Sequence, residues 1–160
     1  MKPPLKSAGL ALAAAVFFIL DRALKWLFTH LWSRADFKLA GDWLSLKPVM
    51  NPGLAFGWPL AVSVVIMATV LALAGLVYWA WLSYRQHQYA SFFALALIIV
   101  GAYSNLFDRI GYGAVIDYIS LEHFSVFNLA DILISAGIAI ILVFQWRKDK
   151  LLFIYKSFYK

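Results

Sequence analysis

The chain has 160 residues, 64% of them hydrophobic and 14% charged, with a formal charge of +6 and no cysteine. Soluble domains carry roughly a quarter charged residues, so this balance excludes one and fits an integral membrane protein with several helices. The positive surplus does not point to nucleic acid, because many of the basic residues flank apolar segments, as orientation determinants do. Without cysteine there is no disulfide and no thiol chemistry.

Lys2 and Lys6 precede an apolar run that begins near Ala8. A basic start and a short apolar core resemble a cleaved signal peptide. The apolar pattern continues through Leu24, Trp26, Leu27 and Phe28, however, which gives about one bilayer thickness of helix. Helix 1 is therefore predicted over 8–28, with Asp21, Arg22 and Lys25 toward its far end. An outer loop over 29–59 follows. Within it Phe37 and Leu39 alternate with Asp36 and Lys38, Gly41-Asp42 suits a turn, and Leu44 and Leu46 alternate again. This pattern predicts a short hairpin at the membrane surface. Asn51-Pro52-Gly53-Leu54-Ala55-Phe56-Gly57 then reads as a glycine-rich entry to helix 2, over 60–82, which carries no charge. Tyr78, Trp79, Trp81 and Tyr84 form an aromatic belt at its end. Helix 3 is predicted over 89–106, with Gly101, Ala102 and Ser104 as small residues for close packing. A second outer loop spans 107–128, and helix 4 covers 129–146 before a basic-aromatic tail.

Four spans put both termini on one side, together with Lys2, Lys6, Arg85, Arg147, Lys148, Lys150, Lys156 and Lys160. The positive-inside rule makes that side the cytoplasm. Asp21, Lys25, Asn51, Asn105, Asp108, Arg109, Asp117, Asn128 and Asp131 then converge at the opposite, outer interface. Ionisable groups at a membrane boundary are costly and need a partner or a task. One domain over 1–160 is expected. His30, His87 and His123 lie far apart without metal-ligand spacing, so neither a metal nor a cofactor is expected.

Each of these residues has a structural reading beside the chemical one. Asn128 and Asp131 fit an N-cap and a dipole-favoured first-turn carboxylate. Asp108-Arg109 fits an ion pair at a helix end, and Asp21 and Lys25 fit an i,i+4 pair. Asn51 suits either a cap or a contact to a substrate backbone. Asp117 stands among apolar Val115, Ile116, Tyr118 and Ile119, which weakens its reading as a mere surface carboxylate. Two carboxylates close together in a partly dry site do not both ionise easily, so the pair offers a base and an acid at once. That is the chemistry of an aspartic peptidase, and Asp117 with Asp131 is the candidate pair.

Five short motifs in order resemble the lipoprotein signal peptidase family (signal peptidase II). They are Asp21 and Lys25; Asn51, Gly53, Ala55 and Phe56; Asn105, Leu106, Asp108 and Arg109; Val115, Asp117 and Tyr118; and Phe127, Asn128, Ala130 and Asp131. The resemblance covers nearly the whole chain. It implies an all-α membrane protein of four transmembrane helices with a small extracytoplasmic β-cradle, placed in the bacterial inner membrane. It further implies an aspartic endopeptidase that removes the signal peptide from prolipoproteins, just before a diacylglyceryl-modified cysteine. The lipidated prolipoprotein and the phospholipid bilayer are the implied partners. Asp117 and Asp131 match the catalytic dyad. Asn51, Asn105, Asp108, Arg109 and Asn128 match supporting or substrate-contacting positions, and Asp21 and Lys25 structural or supporting ones. Val100 and Ser104 stand where the family usually has glycine, and Pro52 and Leu54 vary the outer-loop motif.

Two other classes compete. A transporter or proton relay also uses intramembrane carboxylates, but predicts them spread across bilayer depth. A serine-lysine peptidase built on Ser104 and Lys25 leaves both aspartates without a role.

Overall fold

The computed structural model describes residues 5–52 and 61–158. Gly53, Leu54, Ala55, Phe56 and Gly57 of the glycine-rich entry lie outside the described residues, as do the expected start of helix 2 at 60 and the terminal Lys2 and Lys160. Among the described residues, four helices and four strands follow one another as α1 (Leu5–His30), β1 (Phe37–Ala40), β2 (Leu44–Asn51), α2 (Val62–Arg85), α3 (Tyr89–Tyr112), β3 (Val115–Leu121), β4 (Ser125–Phe127) and α4 (Leu129–Phe158). The molecule is thus mostly helical, with a small antiparallel sheet in the order β1-β2-β3-β4.

Among the described residues, Val62–Arg85, Tyr89–Tyr112 and Leu129–Trp146 are long and apolar enough to cross a membrane. α2 is apolar nearly all round and buries almost none of its span within the protein. That is the signature of a helix facing lipid. α3 is the central helix, packed against α1, α2 and α4. Seven of its nine buried residues, Ala94, Leu97, Ile98, Gly101, Ser104, Asn105 and Asp108, share one helical face, and Leu95 and Leu106 flank it. On α1 the buried positions Ala14, Asp21, Lys25 and Phe28 follow the same rule, which turns both charges inward, away from lipid.

The second outer loop of the sequence reading needs correction. Residues 107–128 are not a loop: α3 continues to Tyr112, and β3 and β4 follow. Gly113 ends α3 in the left-handed region at φ 69°, with its N–H on the Arg109 carbonyl, a conformation that costs glycine little. The surface hairpin is present as β1 and β2, but β2 also pairs with β3, joining the two inter-helix segments into one sheet. The β2–β3 register slips between Leu46 and Val49, at Lys47 and Pro48. Proline cannot donate to a ladder, and a bulge is one of the few places where a central strand accepts it. Beyond the bulge Val49 faces Asp117 and Asn51 faces Val115. Asn51 and Asp117 are therefore diagonal neighbours.

α3 and α4 meet backbone to backbone at two glycines. A Cβ on Gly101 would stand 2.4 Å from the Ala130 carbonyl oxygen and 2.8 Å from Ile134 Cγ1; one on Gly137 would stand 2.5 Å from the Ala94 oxygen. Gly101→Ala should therefore destabilise the protein by about 1–3 kcal/mol through overpacking. Gly75 has nothing within 4 Å of its Cβ position, so Gly75→Ala should be neutral or stabilising. Thermal unfolding in detergent distinguishes the two, and equal behaviour would mean that the α3–α4 contact yields freely.

Candidate active site

The helix ends and the sheet bring the predicted polar residues to one place. At its base lies Lys25, fully buried on α1. Its Nζ donates to Asn105 Oδ1 at 2.8 Å and pairs with Asp108 Oδ2 at 2.7 Å and Asp21 Oδ2 at 3.1 Å. Three acceptors occupy the three ammonium hydrogens. Asp108 also pairs with Arg22 and accepts the Ile116 N–H at 3.3 Å. Asp21 accepts the Ser104 hydroxyl at 2.5 Å, the Ala130 N–H at 3.1 Å and the Tyr118 hydroxyl at 3.4 Å. Two carboxylates, one ammonium and one guanidinium form this cluster, so its formal charge sums to zero.

Above the cluster three asparagines hold the candidate pair. Asn128 Nδ2 donates to Asp117 Oδ1 at 2.7 Å, and Asn51 Nδ2 donates to Asp117 Oδ2 at 3.0 Å. Asn105 Nδ2 donates to Asp131 Oδ1 at 2.8 Å. Asn128 Nδ2 also reaches Asn105 Oδ1 at 3.1 Å, which links the two halves. The helix-cap reading of Asn128 and Asp131 holds as well: the Asp131 N–H donates to Asn128 Oδ1 at 3.0 Å, and Asp131 Oδ2 accepts the Asn128 N–H at 3.2 Å. This is a reciprocal cap with aspartate as the fourth residue. It leaves Asp131 Oδ1 directed to Asn105, toward the cavity side.

Asn51, Asn105, Arg109, Asp117 and Asp131 all line one cavity of about 880 Å³, with apolar walls that include Leu121, Val126 and Ile132. A smaller cavity of about 320 Å³ shares Asn51, Asp117 and Phe124 with it. Burial pushes the Asp117 carboxyl up to about 6; the Asn51 hydrogen bond opposes that rise and the charge of Asp131 adds to it. Two carboxyl groups facing one cavity, one of them held well above its ordinary range, can present a proton acceptor and a proton donor together.

Asp108 and Arg109 attract one another, and each meets other charges besides. Neighbours on a helix point about 100° apart. Asp108 pairs with Arg22 and Lys25, while Arg109 lines the cavity and feels the charges of Asp131, Asp117 and Asp108. The serine-lysine reading fails on geometry: Ser104 donates to Asp21, Lys25 is filled by three acceptors, and both are fully buried beneath the cavity. Three residues join the cluster in roles that the sequence does not assign them: Arg22, Ser104 and Tyr118. Arg22 is flanked by recognised charges, and an ionisable residue in a span signals a partner by itself. Ser104 reads from sequence as a small packing residue or a nucleophile and Tyr118 as an apolar motif position, and nothing in their spacing reveals Asp21 as their acceptor.

A family model described as signal peptidase (SPase) II matches residues 13–147. The chain belongs to the signal peptidase II family. Among curated relatives named lipoprotein signal peptidase, that of Streptomyces coelicolor is 37% identical over 84% of this chain and 69% of its own. The Syntrophus aciditrophicus protein is 32% identical over 87% and 92%, and that of Bartonella tribocorum 35% over 89% and 88%. Two solved bacterial membrane enzymes share the fold. One has a TM-score of 0.79 at 23% identity, covering 89% of this chain and 90% of its own; the other has 0.72 at 24%, covering 85% and 91%. Signal peptidase II membership makes this a bacterial membrane protease, and the transporter reading finds no support.

The ion cluster under the cavity carries a consequence for stability. Lys25→Met leaves two buried carboxylates facing each other, and should cost roughly 3–5 kcal/mol. The Lys38–Asp42 pair is fully exposed, so Lys38→Met should leave the melting temperature unchanged. Equal melting temperatures for wild type and Lys25→Met in detergent would mean that the cluster is hydrated.

Proposed function

We propose that the chain is an aspartic endopeptidase of the membrane which removes the signal peptide from diacylglyceryl-modified prolipoproteins, cutting just before the lipidated cysteine. Asp117 and Asp131 are the catalytic pair in this reading. The observation that carries it is the shared cavity: two carboxyl groups, each fixed by asparagine amides and neither engaged by Lys25, open onto one space. The ionised member takes a proton from a water, and that water attacks the scissile carbonyl carbon. The protonated member donates to the carbonyl oxygen as the tetrahedral intermediate forms. When the C–N bond breaks, the member that took the water proton gives it to the leaving amine, and the other takes back the proton of the hydroxyl that becomes the new carbonyl, so the pair returns to its single shared proton. The two titrate as a unit. Asn51, Asn105 and Asn128 hold the carboxyl oxygens, and Arg109 supplies the cavity's positive charge. Asp21, Lys25 and Asp108 support them from below.

The prolipoprotein is the partner this site fits. Phe37 stands exposed on β1 opposite Leu46, and Leu44, Leu46 and Leu121 lie on the same face of the sheet. That apolar face leads to Asp117 and suits an extended peptide whose lipid tails remain in the bilayer. Asp117→Asn and Asp131→Asn should each abolish turnover of a lipidated prolipoprotein by the purified protein, and the double variant should be no worse than either single one. A residue that only caps a helix behaves otherwise, since asparagine caps nearly as well as aspartate. Substantial turnover in either single variant would sink the assignment. Cleavage of the unlipidated substrate at an equal rate would remove the lipid from it.

The same reading places one domain in the inner membrane with four spans, both termini cytoplasmic and the sheet outside. α1 has 26 residues, roughly 39 Å of helix, enough to cross. Its charges find partners inside the protein, as a spanning helix requires. The basic residues Lys6, Arg85, Arg147, Lys148 and Lys150 then share the inner side. Cysteines introduced at Asp42 and Glu122 should react with an impermeant thiol reagent applied outside the cell, and one at Gln86 should not. Labelling at 86 alone reverses the orientation.

A further inference from the structure

We propose that Tyr118 is a positioning residue for the reaction: its hydroxyl fastens the strand that carries Asp117 to the helix start that carries Asp131. The inference rests on the assignment of those two aspartates as the catalytic pair. Tyr118 follows Asp117 directly on β3 and is 3% exposed. Its ring stacks on Phe28 of α1 at 4.9 Å, with 4° between the planes. Its hydroxyl oxygen accepts the Leu129 N–H at 3.0 Å and donates to Asp21 Oδ1 at 3.4 Å. The same Asp21 oxygen accepts the Ala130 N–H at 3.1 Å.

The first amides of a helix have no partner within it. In α4 the first three are Leu129, Ala130 and Asp131. Their acceptors are the Tyr118 hydroxyl, the Asp21 carboxylate and the Asn128 side chain, respectively. The cap thus comes from β3 and α1 as well as from the residue before the helix. Two of the three acceptors form one unit, because Tyr118 and Asp21 bond to each other. Asp21 is in turn held by Ser104 and Lys25. Burial keeps the phenol well above its ordinary titration range, so it remains a donor to Asp21.

Neither Tyr118 nor Asp21 lines the cavity. Their action on the reaction passes through backbone: Tyr118 through its neighbour Asp117, and both through the amides just ahead of Asp131. A phenylalanine at 118 keeps the stack on Phe28 but leaves the Leu129 N–H without its acceptor. The first turn of α4 is then free to shift against β3. Such a shift alters the separation of the two carboxyl groups and leaves the cavity walls in place, so it lowers the rate of chemistry more than substrate binding.

The experiment uses the full chain, purified in detergent, with a lipidated prolipoprotein as substrate. Tyr118→Phe should lower kcat about tenfold with KM within about twofold of wild type. Hydrogen exchange at the Leu129 amide should speed up, while the melting temperature stays close to wild type. Tyr118→Leu also loses the ring stack, and should lower the melting temperature as well. Asp117→Asn and Asp131→Asn are assayed beside them. Unchanged kcat in Tyr118→Phe while both asparagine variants are inactive overturns the role of Tyr118 and leaves the catalytic pair standing. A fall in kcat accompanied by a raised KM and a melting temperature as low as that of Tyr118→Leu overturns it too, since the hydroxyl is then merely structural. Activity in the asparagine variants removes the catalytic pair itself.

Discussion

The buried ammonium of Lys25 is the constraint on which the site depends. A charge removed from water must be matched in full by its surroundings. Here the match comes from Asp21, one turn earlier on α1, and from Asn105 and Asp108 on α3. Those contacts fix the rotation of α1 against α3. They also settle an orientation higher in the site. Lys25 and Asn128 both donate to Asn105 Oδ1, so the Asn105 amide must turn its Nδ2 toward Asp131. A charge that never reaches the cavity thus decides which group does.

The choice of asparagine around Asp117 and Asp131 follows from the same electrostatics. A lysine or arginine beside each carboxylate would favour the ionised form of both. Neutral amides hold the oxygens in place with a weaker bias, and burial then raises the Asp117 carboxyl. The cations that the cluster contains are neutralised one layer down by Asp21 and Asp108. Among the described residues that line the cavity, Arg109 alone brings positive charge, beside two carboxylates.

The polar residues of the site were legible from sequence because they break an apolar pattern. Asp21, Lys25, Asn105, Asp108, Asn128 and Asp131 each interrupt or border a predicted span, where any ionisable or amide group demands a reason. The helices were legible for the same cause. The sheet was less so. Its first two strands announce themselves by alternation at Phe37, Leu39, Leu44 and Leu46. β3 is buried along most of its length, and Val115, Ile116, Tyr118 and Ile119 give no alternation to read. Partner choice was the least legible part. Adjacency suggests Arg109 for Asp108, but nothing in the sequence reveals its two further cations on α1, more than eighty residues away. The Tyr118 and Ser104 hydroxyls meet Asp21 only after α1, α3 and β3 have packed.

The bulge at Lys47 and Pro48 acts as a change of phase along β2. Before it Leu44 and Leu46 share a face with Ile119 and Leu121; after it Val49 and Asn51 share that same face with Asp117 and Val115. Even positions give way to odd ones, and the apolar outer half of the strand and the amide at its inner end look the same way. The strand therefore has slack at one point only. Loss of one residue from the bulge removes the irregularity and keeps Asn51 opposite Val115. Loss of a residue between Val49 and Asn51 swings the amide to the far face, because side chains alternate.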